Sequence, residues 1–310
     1  MAQTTNTILM IRPAVFRSNE ETAVNNYFQN SLNLSAEKVI DLARQEFDAF
    51  VLQLREKGVK VIVVDDDPAL DTPDSIFPNN WISFHSNGSV ALYPMFAENR
   101  RRERREEVLE AIENEGFVIR EIMDYTEAEQ EGVFLEGTGS MILDRVNHTA
   151  YCALSPRADK DLFLEFCEDF DYYPIVFNAL QTVNQKRVSV YHTNVILCLG
   201  DDFGVICLSC IDDVQQRKMV VAQLNADHKE IIDITEEQMH QFAGNMLQVK
   251  GLGDRSFIVM SQSAMDSLTL EQKNTLQKHG ELLAAKLPTI ETCGGGSARC
   301  MMAEVFLPKA

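Results

Sequence analysis

The chain has 310 residues, 45% of them hydrophobic and only 9 of them proline, so it can bury a substantial core and is too regular to be largely disordered. Its formal net charge of −19 would repel nucleic-acid phosphates and anionic lipid, so neither is expected as a partner and the charge reads as solubility. The first ten residues carry no basic leader ahead of a long apolar run, and no run of about 18 apolar residues occurs, so neither secretion nor membrane spanning is expected and the expected location is cytoplasmic.

Ile8-Leu9-Met10-Ile11-Arg12 opens the chain as an apolar strand. Residues 81–84 and 90–93 read as a hairpin across Ser86-Asn87-Gly88, followed by a helical stretch over roughly 98–115 in which Val108, Leu109 and Ile112 recur at helical spacing. The basic cluster Arg100-Arg101-Arg102-Glu103-Arg104-Arg105 opens that stretch and reads as a solvated face from which one arginine could point into a site. Residues 141–143 and 150–154 make a second hairpin with a helix at 157–169. A third joins 195–198 to 205–208 and precedes a helix at 212–226; a fourth joins 246–249 to 257–260 across Gly251 to Arg255, with a helix at 263–279. Residues 301–306 form one more strand, and its partner is expected to be 8–12 from the opposite terminus.

These elements repeat: two strands, a helix and a third strand, with a period of about 55 residues. The residues just ahead of the first strand of each unit are Asn80, Glu136, His192, Asn245 and Cys300, at successive separations of 56, 56, 53 and 55. Pairing of the termini would close a ring of five in one domain spanning 1–310, and equivalent positions would then face one another near the axis. A Cys, a His, a Glu and two Asn would meet there.

Cys300 lies behind the run Cys293-Gly294-Gly295-Gly296-Ser297-Ala298-Arg299, and a glycine-rich turn with exposed N–H groups suits a nucleophilic thiol better than a core strand does. Cys293 is the competing nucleophile but falls outside the register. Seven cysteines, an odd number, argue for reduced thiols. His192 can shuttle a proton near neutrality, and Glu136, between Val133-Phe134-Leu135 and Gly137-Thr138-Gly139, is a carboxylate for which burial demands a partner; it suits holding a substrate N–H or orienting His192. His85, His148, His228, His240 and His279 read as solvated or capping residues. Cys207-x-x-Cys210 lies in the strand-like run 205–211 without a second ligand pair, and no phosphate-binding glycine pattern occurs, so no metal and no cofactor is expected. For Asn245 a structural turn and a substrate contact stay equally open.

Ile11-Arg12-Pro13, Phe77-Pro78-Asn79-Asn80, Leu135-Glu136-Gly137-Thr138-Gly139, Leu154-Ser155-Pro156-Arg157, His192-Thr193-Asn194 and Gly294-Gly295-Gly296-Ser297-Ala298-Arg299-Cys300-Met301 resemble, in order and spacing, segments of the pentein superfamily of guanidino-group-modifying enzymes, and the last is very like the nucleophile segment of arginine deiminases. The resemblance implies an α/β fold of five blades, a pseudo-symmetric propeller. It also implies that Cys300 attacks the central carbon of a guanidino or ureido group, that His192 moves the protons and that Glu136 supports them. Arg157 matches the arginine that clamps the substrate carboxylate, Arg101 or Arg102 is expected as a second clamp, and Phe77, Asn80 and Asn194 are expected at the substrate.

Arginine deiminases carry aspartates where Asn80 and Asn194 stand. Two neutral amides suit the edge of a neutral urea, since each can donate to a carbonyl oxygen and accept from an NH2. The expected substrate is therefore a ureido amino acid such as citrulline, or an arginine derivative hydrolysed twice through a ureido intermediate. An amidinotransferase and a non-catalytic binding protein of the same fold are the alternatives, and a homodimer stays open.

Overall fold

All five expected hairpins form, and each is joined by the expected third strand. Ile82–Phe84 runs antiparallel to Ser89–Leu92, which is parallel to Glu121–Asp124. The same order holds for Met141–Asp144, Thr149–Leu154 and Tyr173–Asn178, for Leu197–Leu199, Phe203–Ile206 and Glu230–Asp233, and for Leu247–Lys250, Ser256–Ser261 and Glu281–Ala285. The fifth sheet joins the termini: Ala303–Glu304 pairs antiparallel with Thr7–Arg12, Leu9 facing Ala303, and Thr7–Arg12 is parallel to Lys60–Asp65. The computed structural model describes residues 2–310; Met1, the first residue of the expected domain, lies outside the described residues.

A parallel step between neighbouring strands requires a crossover, which is why a helix separates the second and third strand of each sheet. Ala36–Glu56 is the longest; Val39, Ala43, Phe47, Phe50, Val51 and Leu54 recur in steps of three and four and are buried, and the Ser35 hydroxyl accepts the Lys38 N–H to start the helix. Each of the larger of these buried side chains contributes about 2 kcal/mol. No helix among the described residues is long and apolar enough to cross a membrane.

The first strands adjoin around the centre, Leu197–Leu199 against both Met141–Asp144 and Leu247–Lys250, and Ala303–Glu304 against Ile82–Phe84. The short turns that feed them, Pro78–Asn80, Gly137–Ser140 and Thr193–Val195, gather together as a result.

Three local expectations are revised and one element is added. The helix at 98–115 is two pieces, Glu98–Arg101 and Glu106–Asn114, because Arg100 and Arg104 turn to different partners, Glu103 and Glu129. The helix at 263–279 breaks at Leu268 and restarts with a capping box on Thr269. The run 205–211 leaves the sheet after Ile206, and Cys207 and Cys210 sit with their sulfurs 3.3 Å apart. An extra hairpin, Leu180–Val183 with Lys186–Ser189, turns through Asn184 and Gln185, both at positive φ.

Candidate active site

At the end of the ring where these turns meet, Phe77, Asn80, Arg157, His192 and Cys300 line one small cavity together with Asn26, Asp74, Arg100, Tyr191 and Gly294 to Gly296. Its water-accessible volume is about 10 Å³, roughly the room of one water. Glu136 and Asn194 stand directly behind its wall, in contact with His192 and Cys300 respectively.

The glycine run owes its composition to close approach. A β-carbon on Gly294 or Gly296 would come within 2.8 or 2.9 Å of the Phe77 ring, and Gly295 adopts φ +61°. Phe77 thereby floors the loop that delivers Cys300. The segment around Asn19 to Asn30 roofs the cavity: Asn26 Nδ2 donates to the carbonyls of Gly294 and Gly295, and Gln29 Nε2 to that of Gly294.

Cys300 Sγ is approached by two amide donors, Asn245 Nδ2 at 3.2 Å and Asn194 Nδ2 at 3.4 Å. Asn245 is fixed in that sense because its Oδ1 accepts the Arg299 N–H at 3.0 Å and its Nδ2 also donates to Asn194 O at 2.9 Å. Asn194 Oδ1 is buried without a hydrogen-bond partner, and so is Asp74 Oδ1. Such atoms are costly to bury in a finished protein core and point to a polar ligand.

His192 and Glu136 form a buried pair, Nε2 to Oε2 at 2.8 Å. Burial would raise the Glu136 carboxyl, but the Arg157 guanidinium, the His192 N–H and Arg100 outweigh it and hold the carboxyl below its ordinary range. An ionised carboxylate only accepts, so Nε2 carries the proton and Nδ1 keeps a lone pair. Burial pushes His192 down to about 4 against the pull of Glu136, with Arg157 and Arg100 adding to the fall. At neutral pH the imidazole is therefore uncharged. Its Nδ1 faces Gly139, on which a β-carbon would stand 2.8 Å from that nitrogen and 2.5 Å from Asn80 Nδ2.

The arginines divide differently from expectation. Arg157 is buried and donates from Nε to Asn25 Oδ1 at 2.9 Å and from Nη2 to Thr22 O at 3.0 Å, with Nη1 3.5 Å from Glu136. Arg102 lies outside the cavity, its guanidinium on the carbonyls of Asp71 and Asn99, and Arg101 binds Met95 O and Glu129. Arg100 enters the site instead. Residues two apart on a helical turn leave in different directions, so only one of Arg100 and Arg102 can turn inward.

Cys293, in the last turn of the helix Pro288–Gly294, packs in the apolar core and is not among the residues that line the cavity, and burial raises its thiol. His85 is not solvated: it is 4% exposed, stacked 4.1 Å from Phe170 and bonded through Nε2 to Ser83. Asp74, missed in the sequence because it falls outside the register, is fully enclosed; burial raises its carboxyl, opposed by Arg100 and by N–H and O–H groups of Asn19 and Thr22. No group of three or more His, Cys, Asp or Glu side chains among the described residues is arranged to hold a metal ion. A larger pocket of about 480 Å³ opens beyond Phe28, which packs on Tyr191, but it contains neither Cys300 nor His192.

A family model described as N,N dimethylarginine dimethylhydrolase, eukaryotic, matches residues 12–307. Among curated proteins none matches the chain. Among solved structures, ArgZ, an arginine dihydrolase from the ornithine-ammonia cycle in cyanobacteria, superposes with a TM-score of 0.73 at 19% identity over 98% of this chain, which spans only 41% of ArgZ. The N-terminal domain of ArgZ bound to substrate matches with a TM-score of 0.70 at 19% identity over 97% of this chain and 99% of the domain. A dimethylarginine dimethylaminohydrolase carrying an adduct with S-methyl-L-thiocitrulline matches with a TM-score of 0.63 at 13% identity, covering 97% and 99%. With five mixed three-stranded sheets in a ring and a family match over nearly its whole length, the chain has the pentein fold and belongs to the N,N dimethylarginine dimethylhydrolase family, hydrolases of carbon–nitrogen bonds outside peptides.

Proposed function

We propose that this chain is a cofactor-independent cysteine hydrolase of a ureido or guanidino amino acid, with a ureido substrate such as citrulline preferred, and that residues 1–310 act as one catalytic domain. The observation that carries the reading is the neutral set of amides around Cys300: Asn194 and Asn245 donate to Sγ, and Asn80 lines the same cavity. Arginine would bring a guanidinium cation against these amides, whereas a urea needs no counter-charge. Asp74 is then left for the substrate's α-ammonium and Arg157 for its carboxylate. Arg100 stands where the sequence led us to expect Arg102.

In this reading His192 Nδ1 takes the Cys300 proton, and the sulfur attacks the ureido carbon, so that the C–S bond forms and the carbonyl electron pair moves to oxygen. The adduct collapses as the imidazolium gives its proton to the departing NH2, releasing ammonia and leaving a thiocarbamate on Cys300. Neutral His192 then activates water, which attacks the same carbon and breaks the C–S bond; the resulting carbamate loses carbon dioxide to leave the free amine. Glu136 keeps its negative charge throughout, steadying the imidazolium and its tautomer. Because the cavity has room for about one water, the roof around Asn19 to Asn30 must move for an amino acid to enter.

The test is ammonia release from arginine, citrulline, agmatine and N-acylated arginines, with Cys300→Ser as control and intact mass to detect an adduct on Cys300. Turnover of citrulline with adduct formation is expected. Strong activity on arginine with none on citrulline would overturn the substrate assignment.

A further inference from the structure

Cys207 and Cys210 lie outside the cavity around Cys300, and the proposed reaction makes no use of them. They belong to a single 3₁₀ turn, Leu208–Cys210 with Cys207 as its cap, that follows the strand Phe203–Ile206, and residues three apart in such a turn eclipse one another. Their sulfurs accordingly meet at 3.3 Å. The turn is held from both sides: Leu208 N–H donates to Asp233 Oδ1 at 3.0 Å, and Arg187 of the extra hairpin reaches Ser209 O at 3.3 Å while gripping Asp212. The two thiols are not equivalent. The Cys210 S–H, the Ser209 hydroxyl at 3.3 Å and the Cys210 N–H converge on Cys207 Sγ, and they hold its thiol below the ordinary range against burial and Asp233. Cys210, which supplies the S–H, is raised by that contact and by burial. Elsewhere burial pushes Cys167 and Cys198 up to about 12 and raises Cys152 and Cys293.

We propose that Cys207 and Cys210 form an oxidation site that hydrogen peroxide closes to a reversible disulfide, Cys207 being the sulfur that attacks and Cys210 the one that resolves. Both residues are buried, beneath the half-buried Leu208 and the exposed Ser209, so the oxidant must be little larger than water. The Cys207 thiolate attacks one oxygen of the peroxide; the S–O bond forms, the O–O bond breaks, and the departing hydroxide takes up a proton as water. Cys210, giving up its proton, attacks the sulfur of the resulting sulfenic acid; the S–S bond forms, the S–O bond breaks, and a second water leaves. Two thiols have then lost two electrons and two protons, and the peroxide has been reduced to two waters. From 3.3 Å the sulfurs must approach by only about 1 Å to reach bonding distance. A disulfide across two intervening residues closes so short a loop that it adds little as a staple, which suits a bond that is made and broken better than a permanent cross-link. The site is independent of the ureido-hydrolase reading.

The experiment treats the wild-type protein with hydrogen peroxide, stops the reaction with catalase, denatures and alkylates the protein, and reads the tryptic peptide 188–217, which also holds Cys198 as an internal reference. The expected product is a peptide two hydrogens lighter that is alkylated at Cys198 alone and that becomes alkylated at Cys207 and Cys210 as well after dithiothreitol. The peptide 300–309 reports Cys300 separately, so loss of the nucleophile is not mistaken for the disulfide. In Cys210→Ser the sulfenic acid on Cys207 should persist and be trapped by dimedone added with the denaturant, whereas Cys207→Ser should slow oxidation of Cys210 at least about tenfold. A merely structural role for the pair would shift the melting temperature of these variants and leave Cys207 no faster than Cys198 toward peroxide. Full alkylation of Cys207 and Cys210 when Cys300 is already oxidised overturns the proposal, and so does loss of Cys198 at the same rate as Cys207.

Discussion

Asn245 Nδ2 stands 3.2 Å from Cys300 Sγ, and the same side chain accepts the N–H of Arg299 at 3.0 Å, so one amide both fixes the loop before the cysteine and donates to its sulfur. Asn245→Ala removes both contacts, whereas Asn245→Asp keeps the acceptor and loses the donor. A hydrogen bond to a charged group is worth about 1.5–3 kcal/mol, so kcat should drop about 10- to 100-fold in the aspartate variant with little change in melting temperature. Steady-state kinetics beside thermal melts will check this. A kcat within twofold of wild type would return Asn245 to a purely structural place.

The register of about 55 residues foretold that Asn80, Glu136, His192, Asn245 and Cys300 come from equivalent points of five units, and the turns before the first strands do converge. Periodicity could do this because it reports where strands begin. It carries no information about loops outside the repeat, which is why Asp74, the roof residue Asn26 and Tyr191 were not read as parts of the cavity. Nor can it say which of five clustered arginines turns inward; that is decided by the break between Arg101 and Glu106. His85 sits at a hairpin tip, where solvation is the reasonable expectation, and only the approach of Phe170 from far along the chain encloses it.

Gly139 separates Asn80 from His192 with no space to spare. Its β-carbon in Gly139→Ala would lie 2.5 Å from Asn80 Nδ2 and 2.8 Å from His192 Nδ1, well inside contact distance. Overpacking of this kind costs about 1–3 kcal/mol of stability, while displacement of a catalytic group by about 1 Å costs some 10²-fold in rate. The variant should therefore melt only a few degrees lower and retain less than about 1% of wild-type kcat/KM. Near-normal activity would show that neither side chain needs its present position.

Arg157 and Arg102 should behave oppositely. Arg157→Lys retains a cation near Glu136 but not the planar fork, so KM for a ureido substrate bearing a carboxylate should rise about 10- to 100-fold, with a smaller change for an analogue lacking that carboxylate. Arg102, bound only to the backbone carbonyls of Asp71 and Asn99 outside the cavity, should tolerate alanine with both constants within about twofold. An equal KM rise for both substrates in Arg157→Lys would mean that Arg157 acts only through Glu136.

Two buried imidazoles tie stability to pH. His192 is pushed down to about 4 and His85 well below its ordinary value, in both cases first by burial, with Arg145 adding to the fall of His85. Both take up protons more readily in the unfolded chain, near pH 6.5, so their contribution is complete above that value and is lost as the pH falls toward the folded-state values. Each uncharged histidine adds a slope of up to about 1.4 kcal/mol per pH unit in that window. Glu136, held below its ordinary range, extends the loss below about 4.5, while Glu103, pushed up to about 7 by burial against the pull of Arg100, and Asp74, raised by burial, bind their protons more readily when folded and offset part of it. Urea midpoints should thus fall from pH 7 to pH 5, and His85→Gln, which removes one of the two imidazoles while Glu103 still offsets the other, should remove most of that fall. An identical pH dependence in His85→Gln would mean that His85 is free to take its proton in the folded protein, contrary to its enclosure by Phe170 and Ser83.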